Sequence, residues 1–333
     1  MKNTHSHLSR RCVATVLAVG LAVTILAPAG VRSQTLDELK NQFNSVAGAR
    51  VETLTIFGGD YGLSGGSFSS FRGPDGTAQI SLNKFGGAGD IGDPEPIGNT
   101  GIGFQPRLQG SMGYAEAKKV YTSGDLQGDV NKYQTFAIQF GGGGRFWFND
   151  HLSIAPTFMG MYGHTKNLYT ANNPNTQALA AAEDEQLVNW HAQTWTILPA
   201  GNIQYVYTWH RTIFTLSSDY TYFHTESFES SSSLIHINGD SEVWETKLDV
   251  DIPLKKMLWG HELRTGGYFS REQFFDNLKS GTGTDHLYEI HPRLVLDFLG
   301  QLWKVQWIGI GGSYIWGGPI TGYSFGLDIA FRF

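Results

Sequence analysis

From about residue 50 to the end, apolar and polar positions alternate with period two. Period two puts successive side chains on opposite faces of a strand. The pattern predicts ten clear strands, over 101–121, 132–148, 152–168, 192–209, 212–227, 242–254, 257–272, 284–299, 302–316 and 321–333. A weaker pair, 51–71 and 77–85, flanks Gly73-Pro74-Asp75-Gly76. One parity is strongly apolar. It includes Phe104, Leu108, Met112 and Tyr114 in one strand and Phe136, Ile138 and Phe140 in the next. Late in the chain it includes Ile290, Leu294 and Leu296, then Val305, Trp307 and Ile315.

The other parity carries the charge. It holds Arg107, Arg145, Asp219, Glu245, Lys247, Asp249, Asp251, Glu262, Arg264, Glu289, His291, Arg293, Asp297, Lys304, Asp328 and Arg332. An Arg or Lys facing lipid at mid-bilayer costs roughly 2–4 kcal/mol. Finding nearly all of the strand charge on one parity therefore places lipid on the other and a polar lumen behind it. Connections alternate in length. Short ones fall at Asn149-Asp150-His151, His210-Arg211, Pro253 to Lys256 and Gly300-Gln301. Long ones fall at 122–131, 169–191, 228–241 and 273–283, with a shorter one at 317–320. This is the rhythm of a transmembrane antiparallel up-and-down β-barrel. Twelve strands account for the weak pair; ten is the alternative, and both counts are even.

Finer expectations follow. A turn at Gly300-Gln301 sets Asp297 against Lys304 and Phe298 against Trp303. A four-residue turn from Pro253 to Lys256 sets Lys247 against Glu262 and Glu245 against Arg264, avoiding opposed like charges. Pro106, Pro156, Pro199 and Pro292 fall inside strands and lack a ladder donor, which predicts local bulges. Phe146, Phe148, Tyr207, Trp209, Phe214, Trp259, Phe298, Trp303, Phe331 and Phe333 sit near the short turns as an interfacial girdle. Tyr162, Tyr222, Tyr288 and Tyr323 supply the opposite belt.

The N-terminus reads differently. Lys2, Arg10 and Arg11 precede the apolar run Val13 to Pro28, so 1–33 is read as a cleavable signal peptide. Cys12, the one cysteine of the chain, falls within it. The mature chain then has neither disulfides nor thiolate metal ligands. Residues 34–49 form a short helix, with Leu36, Leu39, Phe43 and Val46 on one face and Thr35 with Glu38 as a capping box. That helix is a candidate lumen plug, and 50–333 is the barrel.

Charged residues make up 16% of the chain and aromatics 13%, with 42 glycines and a net charge of −6. This composition suits a protein whose outer surface meets lipid, and it argues against nucleic acid as a partner. Gly87-x-Gly89-x-x-Gly92 is followed by Asp93-Pro94-Glu95-Pro96, which forbids the helix a dinucleotide site needs. Gly141 to Gly144 lacks the Lys-Ser/Thr of a phosphate loop. The sequence implies no cofactor and no metal.

The strand count, the helix before the barrel and the ending "GYSFGLDIAFRF" resemble the solitary outer-membrane autotransporter-like barrels. The resemblance covers roughly 50–333. It implies an outer-membrane location, an N-terminal helix threading the pore, and no sizeable passenger. The alternating aromatic ending (Tyr323, Phe325, Phe331 and Phe333) also resembles the recognition signal for the barrel-assembly machinery. The expected partners are outer-membrane lipids and, during biogenesis, that machinery and periplasmic chaperones. The barrel itself is read as a monomer.

Three functions fit the charged lumen: a narrow channel for small solutes, a plugged structural or surface-interaction barrel, and an outer-membrane lipid hydrolase. Glu289, His291, Arg293 and Asp297 are the densest inward cluster, and His291 is the general-base candidate. No nucleophile stands out among the Ser and Thr residues, so the reading is not an enzyme.

Overall fold

The computed structural model describes residues 62–73, 76–302 and 305–331. The stretches read as a signal peptide and as the 34–49 helix lie outside the described residues. So do Trp303, Lys304, Arg332 and Phe333.

The elements are β1 (Gly62–Gly73), β2 (Gly76–Asp90), the two-residue β3 (Glu95–Pro96), β4 (Gly103–Val120), β5 (Val130–Trp147), β6 (Leu152–Thr170), α1 (Pro174–Ala182), β7 (His191–Trp209), β8 (Thr212–Ser230), β9 (Asn238–Leu258), β10 (His261–Phe275), α2 (Asp276–Thr282), β11 (His286–Leu302), β12 (Val305–Gly317) and β13 (Ile320–Phe331). Setting β3 aside, the strands form one antiparallel ring, closed where β2 pairs β4 and β1 pairs β13. These twelve strands span 12 to 21 residues. A membrane strand needs about 9–11 residues. Among the described residues no helix is long and apolar enough to cross a membrane; the strands do so.

The apolar parity faces outward as expected. Phe140, Phe158, Ile203, Leu216, Trp244, Phe269, Ile290 and Phe325 are all exposed. The girdle residue Trp259 is 82% exposed at the short-turn end. Near the other end Tyr162 and Tyr323 face out, and Phe269, Tyr288, Trp316 and Tyr314 form a stacked ladder with centroids 5.5–6.1 Å apart.

Four expectations are corrected. β9 does not turn at Pro253 to Lys256. It runs to Leu258, and the two-residue turn is Trp259-Gly260, with φ of 53° and 83°. Two positive φ values give the turn whose twist matches the flanking strands. A shift between Leu263 and Arg264 absorbs the extra residues, so Lys247 pairs Ser270, Glu245 pairs Glu272 and Glu262 pairs Met257. Likewise Gly300-Gln301 stays in β11, and Asp297 pairs Trp307 rather than Lys304.

The parity of β12 is also inverted. Ile315 is 2% exposed and points inward, whereas Ile310 and Tyr314 face out. Both parities of this strand are apolar, and no charge marks the inner one. The alternation there cannot fix the register.

Finally, no register shift occurs at the four prolines; the shifts lie elsewhere. Each strand residue directs its N–H to only one neighbour, so a proline weakens one ladder and spares the other. Pro106 lies where β2 has ended, and its carbonyl accepts from Ile91 N at 2.7 Å. Pro156 lies opposite the glycine run of β5. A Cβ on Gly143 would collide with the Pro156 carbonyl. The run exists for close strand approach.

Candidate functional site: a blind charged cavity

The inward face divides by height. Toward the long-loop end it is apolar. Leu82, Ala137, Met159, Met161, Leu198, Phe223, Val243, Phe274, Leu287, Ile315 and Ile320, with Leu278 of α2, form one cluster. Every one of these twelve exposes 8% or less of its surface. Side chains along a water-filled pore would expose more. Above it the loops fold inward. Trp190, Ile235 and Ile237 pack on Ala78, Tyr133 and Ala192. Fully buried Asp129 ties two loops together, accepting from Tyr169 Oη at 2.6 Å and from the Asn172 and Asn173 amides at 2.7 and 2.8 Å.

Toward the short-turn end lies a cavity of about 760 Å³. Met159, Leu198, Phe223 and Val243 are among its lining, which makes the apolar layer its roof. Of the sequence candidates, Arg107, Arg145, Asp219, Glu245, Lys247, Arg264, Glu289, His291, Arg293, Asp297 and Asp328 line it, as do Asp249 and Asp251. Glu262 sits at its rim, 2.6 Å from Arg211 and 3.7 Å from Arg264. Lys304, Arg332 and Phe333 are outside the described residues.

The expected Glu289–His291–Arg293–Asp297 cluster resolves into separate networks. Arg293 makes a bidentate pair with Asp249 at 2.6 and 2.7 Å and lies over the Trp307 ring. Arg264 grips Asp251 through Nε at 2.9 and 3.1 Å, with Asp297 at 3.7 Å. Such forked pairing fixes the relative position of β9, β10 and β11. On the opposite wall Asp90 bridges Arg107 at 2.8 Å and Arg145 at 3.0 Å. Arg145 also donates to Ser153 and Gln204, at 2.8 and 2.5 Å, so one guanidinium ties β2, β5, β6 and β7.

The third network surrounds His291. Its Nδ1 lies 2.7 Å from Ser313 Oγ and its Nε2 3.0 Å from Asp328. Ser313 donates to Glu289, which also accepts from Tyr268 at 2.9 Å. Tyr268 stacks on the imidazole at 4.8 Å. A Ser, a His and an Asp thus meet, but the hydroxyl is held between two partners, and Ser313 is 4% exposed and apart from the cavity lining. Among the described residues no group of His, Cys, Asp and Glu is arranged to hold a metal ion.

Sequence reasoning missed Asp90 and Ser313. Asp90 follows the even parity of Ala78, Leu82 and Lys84, a signal obscured by the glycine-rich stretch around it. Ser313 was hidden by the inverted parity of β12.

A search among curated proteins finds no significant match. Solved structures give fold likeness. The transport unit of the autotransporter AIDA-I from Escherichia coli has a TM-score of 0.51 at 11% identity, covering 87% of this chain and 99% of that one. The beta domain of the Bordetella autotransporter Brka gives 0.49 at 11%, covering 82% and 99%. The translocator domain of NalP from Neisseria meningitidis gives 0.47 at 11%, covering 90% and 100%. The family profile described as "Solitary outer membrane autotransporter beta-barrel domain" matches residues 97–327. That match spans more than half of the sequence, and the closed antiparallel barrel has the fold it describes: the chain belongs to the solitary outer-membrane autotransporter β-barrel family.

Proposed function

We propose that this outer-membrane barrel is closed to solutes and acts as a structural or surface-presenting protein, with a blind vestibule facing the periplasm. One observation supports the reading: Phe223, Leu198 and Phe274 of the apolar layer above the cavity are each 2% exposed or less. Apolar side chains this deeply buried pack against one another and leave little room for water. Folded protein in planar bilayers should therefore give no steady conductance steps, with folding verified by a heat-dependent gel shift. Steady steps from the unaltered protein would overturn the proposal.

A second reading, a gated channel for small solutes, is favoured by the charged cavity beneath the layer. It requires the layer to move. Under it, widening the layer with Leu198→Gly and Phe223→Gly together would give conductance whose ion selectivity changes when Arg293 is neutralised.

We also propose export by the 1–33 signal peptide, assembly as a monomer, and delivery by periplasmic chaperones to the barrel-assembly machinery through the terminal aromatic strand. β13 carries Tyr323 and Phe325 on its outward face. Deleting Phe333 should lower the amount of folded barrel in the outer membrane. Unchanged levels would count against the signal.

A further inference from the structure

The outer face near the long-loop end differs between the two sides of the barrel. On β4, β5 and β6 the outward rings Tyr114, Phe136 and Tyr162 are all exposed. Four residues farther toward the loops, on the same face, stand Lys118, Lys132 and Lys166, with Val120 and Leu168 exposed two residues beyond Lys118 and Lys166. On β8 and β9 the same step from Tyr222 and Trp244 leads to Glu226 and Asp240. The lysines are therefore no uniform collar; they occupy one sector.

Within that sector the lysines crowd. Lys118 is directly opposite Lys132 in the ladder, and Lys166, which pairs Gln134, is diagonal to Lys132. Direct neighbours have Cβ atoms about 5 Å apart and diagonal ones about 7–8 Å. Like charges so placed repel. Glu116 answers Lys132 at 2.8 Å. Lys118 and Lys166 are exposed and make no ion pair among the described residues. The Tyr162 hydroxyl, 2.8 Å from Gln193, marks the polar boundary beside them.

We propose that this sector binds the phosphorylated head group of an anionic glycolipid in the external leaflet. Its acyl chains would lie on Tyr114, Phe136 and Tyr162, and a phosphate would sit between Lys118 and Lys166. A phosphate accepts from several ammonium groups at once and cancels their repulsion. The exposed rings below and the lysines above them match the two parts of such a lipid, which a soluble anion would not need.

The test uses folded barrel in detergent micelles, with bis-phosphorylated lipid A and its dephosphorylated form as probes, followed by native mass spectrometry. The unaltered protein should retain the phosphorylated form preferentially. A basic residue near an anionic head group contributes about fivefold in affinity, so Lys118→Gln with Lys166→Gln should weaken binding roughly twenty-five-fold. Binding of the dephosphorylated form should not change. Equal retention of both forms, or an unaltered double variant, would overturn the proposal. So would full displacement by millimolar inorganic phosphate, which would mark a free-anion site instead. If the double variant fails the gel-shift test of folding, the single variants carry the test at about fivefold each.

Discussion

On five strands the same inward parity changes chemistry with height. β8 carries Phe223 near the external end and Asp219 below it; β9 carries Val243, then Asp249 and Asp251. β10 carries Phe274, then Arg264; β11 carries Leu287, then Arg293; β12 carries Ile315, then Ser313. Parity separates inside from outside, but it does not separate wet from dry. The external half of the lumen behaves as the core of a soluble protein. Burial there stabilises at about 25 cal/mol per Å² of apolar surface. The half toward the short turns packs with ion pairs, whose Coulomb gain is largely offset by desolvation. Its contribution is to fix which strand lies against which.

The largest effect should come from the apolar half. Phe223→Ala removes a ring that is 2% exposed and roofs the cavity. Loss of a buried phenylalanine costs about 3–5 kcal/mol. Urea unfolding in lipid vesicles should show that loss equally at low and high salt. A loss below about 1 kcal/mol would mean the layer is loosely packed, and the proposed closure would fail with it.

Next is Arg293→Ala. It strands Asp249 among the acidic lining and should cost about 3 kcal/mol, since breaking an enclosed pair leaves one charge uncompensated. Neutralising both, with Arg293→Gln and Asp249→Asn together, should restore much of it. If the double variant is as unstable as the single, the stranded charge is not the cause. Added salt should shrink this loss and leave the Phe223 loss alone.

How much of this was legible beforehand follows from what each signal measures. Lipid cost is a one-residue property with period two, so inside and outside could be assigned wherever one parity held charge. β12 failed because "VQWIGIGGSYIWG" has no charge on either parity. The β9–β10 turn was misplaced because Pro253 and the two lysines after it imitate a loop, while Trp259-Gly260 carries the turn geometry. The inward charges were visible one by one. Their partners were not, because Asp90 with Arg145 and His291 with Asp328 join residues 55 and 37 apart in the chain. The apolar cluster toward the long loops could have been suspected from the inward Leu82, Val243 and Phe274, but only packing shows that they meet.

A finer test contrasts two glycines. Gly311 is inward in β12, and a Cβ there would collide with Asp328 and with the His291 ring. Gly311→Ala should cost about 1–3 kcal/mol, the usual penalty of overpacking. Gly160 of β6 has nothing within 4 Å of an added Cβ. Gly160→Ala should be neutral or slightly stabilising, because the unfolded chain loses freedom. Equal effects at the two positions would show that the His291 network can yield without loss.

The smallest effect belongs to the rim. Arg211 lies in the β7–β8 turn with its side chain 58% exposed, and it reaches Glu262 at 2.6 Å. By distance alone this pair matches Arg293 with Asp249. By position it differs, because water screens the guanidinium and Glu262 keeps Arg264 at 3.7 Å after the change. Arg211→Ala should therefore cost only a few tenths of a kcal/mol, typical of an exposed pair. The same unfolding measurement decides it. A loss as large as that of Arg293→Ala would mean the rim is as enclosed as the cavity. The gradient from dry core to open vestibule, on which the closed-barrel reading depends, would then have to be redrawn with its floor at the periplasmic turns.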